Sequence, residues 1–162
     1  MMHFIGIDPG VNGGIAVLDE EGKVAFLEKM PATPHDLWQA TWKIPRRRFA
    51  YLEKVGGYIG DEGEKGAGRA NGSRMFTFGQ NFGWCQMALE GNYIPYELVT
   101  PQVWQKSVGI TLRKKEESRS AWKNRLKARA QELFPSERVT LANSDALLIA
   151  YHCWHTRRGF DA

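Results

Sequence analysis

The first thirty residues contain three apolar segments joined by tight turns, and this arrangement restricts the folds open to the chain most strongly. The segment from His3 to Asp8 is apolar and β-branched and stops at a Pro-Gly pair. Gly13 to Leu18 follows an Asn-Gly pair, and Lys23 to Glu28 follows a turn that ends in glycine. Such short turns join antiparallel strands. The sequence therefore predicts a three-stranded antiparallel meander at the start of the chain.

After the meander, the pattern predicts helices that alternate with two more strands. We expect a short helix over His35 to Trp42, strands over Phe49 to Val55 and Ile94 to Val99, a helix end over Gly83 to Gly91, a short helix from Pro101, a longer helix from Lys114 to Phe134, and a last helix capped by Asn143 or Ser144 that runs to Arg157. Nine glycines between Gly56 and Gly83 predict a long flexible loop. The order predicts one α/β domain over residues 1–162, with a mixed five-stranded sheet flanked by helices.

Charge is distributed unevenly along the chain. Lys and Arg outnumber the acids by 22 to 18, for a net charge of +4. Between Leu112 and Arg129 only Glu116 and Glu117 oppose eight basic residues, namely Arg113, Lys114, Lys115, Arg119, Lys123, Arg125, Lys127 and Arg129. One interpretation is a solvated helix face. The other is a surface for a polyanion, since phosphate contacts dominate affinity for nucleic acid.

The sequence does not indicate a membrane-spanning, exported, disulfide-rich or zinc-binding protein. No apolar run approaches the roughly 20 residues that a membrane-spanning helix needs, and no export signal is evident at the N-terminus. Cys85 and Cys153 alone predict neither a disulfide framework nor a zinc site. We therefore expect a cytoplasmic protein without a membrane partner.

Three acids occupy positions at which chemistry is common. Asp8 ends the first strand, Glu53 lies in the otherwise apolar fourth strand, and Asp145 lies in the first turn of the last helix. Each also has a purely structural interpretation. Asp8 can stabilise a turn, Glu53 can be an exposed charge on an edge strand, and Asp145 can complement the helix dipole.

The motifs FIGIDPGVNGGIAVL and SDALLIAYH, with an acid on the fourth strand between them, resemble the RuvC-type Holliday-junction resolvases of the RNase H-like superfamily. TPQVWQKSVGI, followed by two lysines, matches the region before the last helix, so the resemblance covers nearly the whole chain. It is similar in particular to the shorter phage-encoded members. The resemblance implies a crossover-junction endodeoxyribonuclease with an RNase H-like fold. It also implies that Asp8, Glu53 and Asp145 jointly hold two divalent cations, Mg²⁺ with Mn²⁺ as a substitute, which activate water and stabilise the leaving oxygen.

The chain departs from the family at a fourth ligand. Many resolvases carry an acid, or in some a histidine, at the position of Ala142, beside Asn143 in this chain. His152 lies two helical turns after Asp145 and is a distant substitute. The resemblance also assigns Lys115 to a lysine near the scissile phosphate, with Lys114 and Lys106 as alternatives.

The predicted DNA contacts combine the glycine-rich loop with the basic segment. Resolvases that resemble this chain insert an aromatic side chain into the junction at the position of Gly56, and Tyr58 is the nearest candidate here. The other predicted contacts are Arg69, Arg74, Phe76, Lys106, Arg113, Lys114, Arg119 and Lys123. The partner would be branched DNA.

We also expect a homodimer, because resolving a four-way junction takes two symmetric cuts. The predicted contact is the helix from Thr77 to Gly91, with Phe78, Phe82, Trp84, Met87 and Leu89. Two alternatives stay open at this point. One is an RNase H-like nuclease for other branched or hybrid duplexes, and the other is a junction-binding protein that has lost a metal ligand and does not cleave.

Overall fold

The computed structural model describes residues 1–54 and 68–159, with the backbone alone at 68–71. Five strands form one sheet in the order β3-β2-β1-β4-β5. The strands are β1 His3–Asp8, β2 Gly14–Leu18, β3 Val24–Lys29, β4 Arg48–Glu53 and β5 Tyr96–Val99. β2 is antiparallel to both of its neighbours, whereas β4 is parallel to β1 and to β5. The predicted mixed sheet and its antiparallel meander are confirmed.

The helices are α1 Pro34–Trp42, α2 Gly68–Gly91, α3 Pro101–Ser107, α4 Arg119–Leu133 and α5 Ser144–Arg157. Two of them begin at a side-chain cap. The Thr33 hydroxyl accepts from the Asp36 N–H at the start of α1, and the Ser118 hydroxyl accepts from the Ala121 N–H at the start of α4. These caps satisfy backbone donors that lack partners within the helix.

Two predicted boundaries are wrong. The glycine-rich loop is helical from Gly68 onward, because Cys85, Ala88 and Leu89 pack the same helix into the core and this packing outweighs the low helix propensity of glycine. The helix predicted from Lys114 begins only at Arg119, where Ser118 caps it. Lys114 and Lys115 therefore lie in the segment before α4.

A core layer covers each face of the sheet. On one face the sheet packs mainly against α5, α4 and α3, and on the other against α1 and α2. Alternation along β1 explains this division, since Phe4 belongs to the first layer whereas Ile5 and Ile7 belong to the second. Both cysteines are buried and free. Within the described residues, no helix is long and apolar enough to cross a membrane.

Close packing of α5 on β1 depends on Gly6. A Cβ atom at this residue would lie 2.1 Å from the Ala150 nitrogen and 2.3 Å from the Ala146 oxygen. Only a residue without a side chain allows the helix backbone to approach the strand this closely. The approach holds the first turn of α5 beside the end of β1, and this placement builds the site described next.

Candidate active site

Asp8 and Glu53 end two neighbouring parallel strands at the same edge of the sheet. The register pairs Ile7 with Leu52, so the next residue on each strand is an acid. Phe4 and Tyr51 belong to the core layer under α5, and strand alternation places Asp8 and Glu53 on that same face. β4 lies between β1 and β5, which excludes the interpretation of Glu53 as a charge on an edge strand.

Asp145 reaches the same edge from the first turn of α5. Its residue surface is only 4% exposed, so a role as a solvated dipole partner alone does not explain it. The close contact of α5 with Gly6 determines how near Asp145 lies to the ends of the strands. The three predicted acids, which are far apart in the sequence, are therefore brought together.

The electrostatics of the two strand acids show how crowded this cluster is. Burial raises the pKa of Asp8 well above its usual range, and the charges of Asp145 and Glu53 raise it further. Burial is also the main reason that the pKa of Glu53 rises to about 7; a hydrogen bond from Trp104 opposes the shift and the Asp145 charge adds to it. Three carboxylates this close need a cation to remain charged together.

Lys123 supplies one cation to the cluster. Its ammonium donates a hydrogen bond to Asp145 Oδ2, and its side chain is 29% exposed. Burial of the ammonium opposes its charge, but Asp145, Asp8 and Glu53 together outweigh burial and raise the pKa of Lys123. We predicted Lys123 only as a DNA contact. Its place in the cluster follows from the packing of α4 against α5, for which the sequence carries no signal beyond the basic run.

Lys115, the lysine that the sequence assigned to the chemistry, is exposed in the turn before α4. Within the described part of the chain, no acid forms an ion pair with it. The structure thus brings Lys123 to the carboxylates and leaves Lys115 on the surface.

Trp104 is a further contact that the sequence analysis missed. Its indole Nε1 donates a hydrogen bond of 2.7 Å to Glu53 Oε2, and the residue is only 1% exposed. The available signal was a large aromatic residue in a short helix directly after β5. A buried tryptophan N–H usually has an acceptor, but sequence alone does not identify which one.

The residues considered for a fourth ligand have other partners. Asn143 Oδ1 accepts from the Thr140 N–H at 2.7 Å, and Asn143 Nδ2 donates to the Arg138 oxygen at 3.1 Å. Asn143 therefore closes the turn before α5, where its side chain makes no cap to the helix. His152 is buried, with Nδ1 at 2.7 Å from Ser107 Oγ. Ala142 offers no side-chain donor.

The donor chemistry of the cluster suits a hard cation. Carboxylate oxygens are the ligands that Mg²⁺ prefers, and this ion keeps several waters and needs few protein ligands. Among the side chains of residues 1–54 and 72–159, no three His, Cys, Asp or Glu are arranged so that they could already hold a metal ion. The carboxylates nevertheless carry negative charge in excess of one ammonium, and this donor chemistry, not a preformed geometry, suits a partly hydrated divalent cation.

The basic segment offers a smaller positive surface than its composition suggests. Arg125 pairs with Glu117 at 2.7 Å and Arg129 with Glu132 at 2.9 Å, while Lys123 pairs with Asp145. The exposed members of the predicted DNA-binding set here are Lys106, Arg113, Lys114 and Arg119. Arg125 also bonds Thr111, and Arg113 Nε donates to the Glu117 oxygen at 3.0 Å, so this network holds the turn that carries the lysines.

The predicted contacts from the glycine-rich region have mixed outcomes. Arg74 and Phe76 lie on α2 and are exposed, Phe76 by 71%. Tyr58 and the side chain of Arg69 lie outside the described residues. Farther along the same helix, Leu89 is fully buried, which removes it from the predicted dimer contact, and Phe82 and Trp84 are partly buried against the core. The apolar residues of α2 serve mainly the core of the chain itself.

The sequence of the chain matches no protein-family model, and no curated protein is similar to it in sequence. Solved structures do match it. The structure described as T. thermophilus RuvC in complex with Holliday junction substrate superposes with a TM-score of 0.63 at 17% sequence identity, covering 98% of this chain and 97% of that chain. A second Thermus thermophilus RuvC structure gives a TM-score of 0.60 at 15% identity, with the same coverage. The chain therefore has the RuvC-like form of the RNase H fold, a five-stranded mixed sheet with flanking helices.

Proposed function

We propose that the chain is a metal-dependent, structure-selective endodeoxyribonuclease that resolves four-way and related branched DNA junctions by phosphodiester hydrolysis. One observation carries the proposal. Asp8, Glu53 and Asp145 converge from β1, β4 and α5 at one end of the sheet, and Lys123 lies against them. The similarity in fold to a RuvC structure with a Holliday junction substrate supports the choice of DNA substrate.

The three carboxylates would hold Mg²⁺, or Mn²⁺ in its place. Bound divalent cations supply an activated water and charge stabilisation for the leaving 3′-oxygen. The chain's own residues provide the rest. Asp8 and Glu53 are presented by two rigid adjacent strands, and Asp145 is presented by a helix packed on one of them. Lys123 adds a positive charge at the same edge, where it stabilises charge on a phosphodiester group during cleavage.

DNA would bind across the edge of the sheet that carries the acids. Lys106, Arg113, Lys114 and Arg119 are the exposed cations of the predicted contact set in the segments after β5, and we retain Lys115 with them as a phosphate contact. Arg74 and Phe76 on α2 extend the proposed contact, as do Tyr58 and Arg69. The proposal includes a homodimer, a cytoplasmic location and a relationship to phage-encoded resolvases, which stay predictions.

A second candidate is a junction-binding protein that does not cleave DNA. It is favoured by two observations: Asn143 is committed to a backbone turn instead of ligation, and Asp145 already pairs with Lys123. The two functions share a binding surface and differ in the chemical step. A cleavage assay therefore separates them, whereas a binding assay does not.

The test uses synthetic four-way, forked, duplex and RNA–DNA hybrid substrates with Mg²⁺ or Mn²⁺. We expect paired cuts in the four-way junction, little cleavage of the duplex, and no cleavage by Asp8→Asn. Binding of the four-way junction without cleavage would support the second candidate. Preferred cleavage of the hybrid would identify a different RNase H-like nuclease and contradict the proposed substrate.

A further inference from the structure

Trp104 has a single hydrogen-bond donor, and Glu53 receives it. We propose that Trp104 is a positioning residue for the divalent cation: its indole N–H holds Glu53 Oε2, so that Oε1 is the oxygen presented to the metal. This inference rests on the proposed function, in which Glu53 is a metal ligand.

The chain path makes this contact a fixed feature of the fold. β5 is parallel to β4, with Val99 beside Glu53, and the Lys54 N–H donates to the Val99 oxygen at 2.7 Å. The chain then enters α3 directly, and Trp104 in that helix reaches back to the end of β4. Its indole packs in one core layer with Val99 and Val108. A ring enclosed in this way has few alternative rotamers.

Glu53 needs such a support because of its location. It is the last residue of β4, and its flexible side chain must maintain one orientation among like charges. A hydrogen bond from an N–H group to a carboxylate is shorter and stronger than one between neutral groups. Partners of this kind orient metal ligands and raise metal affinity. The bond uses one lone pair of Oε2, while the described residues show no hydrogen bond to Oε1, so Oε1 is the freer oxygen for the ion.

A purely structural role for the bond predicts a different result. A buried indole N–H requires an acceptor whatever the function, and in that case its loss affects folding alone. A positioning role requires in addition that the loss weakens metal binding, and that this weakening depends on the Glu53 carboxylate. Metal affinity therefore distinguishes the two roles.

The experiment measures Mn²⁺ binding by titration calorimetry on the intact chain without DNA. Trp104→Phe removes the hydrogen-bond donor. Replacement of Trp104 by 3-benzothienylalanine also removes the donor but keeps the shape of the ring. This second variant keeps the test valid if the phenylalanine variant does not fold. The matched control is Trp154→Phe. Trp154 also packs on this core layer and donates Nε1–H to an oxygen, that of Glu20 at 3.0 Å, outside the acid cluster.

We expect Mn²⁺ affinity to fall about 10- to 100-fold in both Trp104 variants, the usual effect of losing such a partner, and to stay unchanged in the control. In a Glu53→Gln background, the Trp104 substitutions should cause no further loss. Wild-type affinity in the benzothienyl variant overturns this inference but leaves the proposed function intact. Equal Mn²⁺ binding by wild type and Glu53→Gln contradicts the ligand role of Glu53, and both proposals then fail.

Discussion

At the scale of single residues, the three carboxylates differ in how their charge is compensated. Asp145 has an ammonium partner in Lys123, and Glu53 has the Trp104 N–H. For Asp8, the described residues show no side-chain hydrogen bond, and both neighbouring acids raise its pKa. Removing charge therefore has a different effect on folding at each position, although all three acids are proposed to serve the same reaction.

The first prediction concerns catalysis. Asp8→Asn, Glu53→Gln and Asp145→Asn should each reduce metal-dependent cleavage to background while junction binding is retained, because removal of a ligand weakens metal binding and the basic surface remains. Single-turnover cleavage and gel-shift binding check this. Metal-dependent cleavage at the wild-type rate by any one variant would remove that residue from the site.

The second prediction is a pH dependence of stability in the absence of metal. The pKa of Glu53 is about 7 in the folded protein against an ordinary value of 4.5. A raised carboxyl pKa means that the charged form is disfavoured in the fold, so stability falls as pH rises from about 4.5 to about 7. The loss is at most about 3 kcal/mol.

Urea unfolding with a chelator, near pH 5 and near pH 8, tests this expectation. The wild type should lose stability relative to Glu53→Gln between the two conditions, since the amide does not titrate. Comparison with Glu53→Gln cancels the contributions of titrating groups outside the acid cluster, whereas the interaction of Glu53 with Asp8 remains part of the difference. A difference that is independent of pH would contradict a raised pKa at Glu53.

At the scale of elements, the site depends on how closely α5 lies against β1. Gly6 faces Ala146 and Ala150, four residues apart on one face of the helix, and the strand contacts the helix backbone there. Asp145 precedes this contact by one residue. A small displacement of the helix therefore moves one carboxylate relative to the other two.

The third prediction tests this packing with Gly6→Ala. The new Cβ would lie 2.1 Å from a backbone nitrogen, so α5 must shift away. We expect a loss of about 1–3 kcal/mol in the free energy of unfolding, together with weaker Mn²⁺ binding. The control is Gly79→Ala on α2, where no described atom outside the adjoining residues and the backbone of the helix lies within 4 Å of the new Cβ. Helix propensity should stabilise that variant by up to about 1 kcal/mol. Equal stability of the two variants would contradict the role of Gly6.

The fourth prediction concerns the basic residues in the segment before α4 and at the first residue of that helix. Lys114→Glu and Arg119→Glu should weaken junction binding and reduce its dependence on salt. The slope of log K against the logarithm of the salt concentration should become shallower by about 0.9 for each DNA phosphate that the variant no longer neutralises. The control is Lys23→Glu at the opposite edge of the sheet, where Lys23 pairs with Glu21 at 2.6 Å. Fluorescence anisotropy at several salt concentrations measures the slope. A slope identical to that of the wild type would support the interpretation of a solvated face.

At the scale of the whole molecule, one chain carries one acid cluster in its described part, and a four-way junction needs two cuts. Two-fold symmetry is the simplest way to place two such sites on opposite strands. The surface that would form the interface is smaller than the sequence suggested, since Leu89 is fully buried within the chain. Met87 on the same helix stays 66% exposed.

The fifth prediction is a dimer at micromolar concentration, or at the latest on a four-way junction. Light scattering of the free chain and of its complex gives the mass directly. Met87→Glu should shift the equilibrium toward the monomer without loss of folding, because this side chain is exposed in the single chain. A monomer both free and on the junction would contradict paired cleavage and favour a nuclease that makes single nicks.

Much of the architecture follows from local sequence patterns. The strands of the meander, the position of α5 and the placement of Asp8 and Glu53 could be predicted because strand alternation, turn residues and helix caps act over a few residues. The same patterns, with the family resemblance, selected three acids out of eighteen. They predicted only the C-terminal part of α2, because glycine-rich segments have low helix propensity and the packing of the same helix into the core decides where it begins.

The partners of the acids depend on the packing of distant elements. Which of eight basic residues meets Asp145 is set by how α4 crosses α5, and the answer is Lys123 instead of Lys115. The bond between Trp104 and Glu53 requires the parallel pairing of β5 with β4, which joins residues 51 positions apart. Short-range periodicity carries no information about such geometry. Local patterns in the chain were therefore enough to identify the three candidate acids and the element on which each lies. The partners of those acids are decided only by how the elements pack in the tertiary structure.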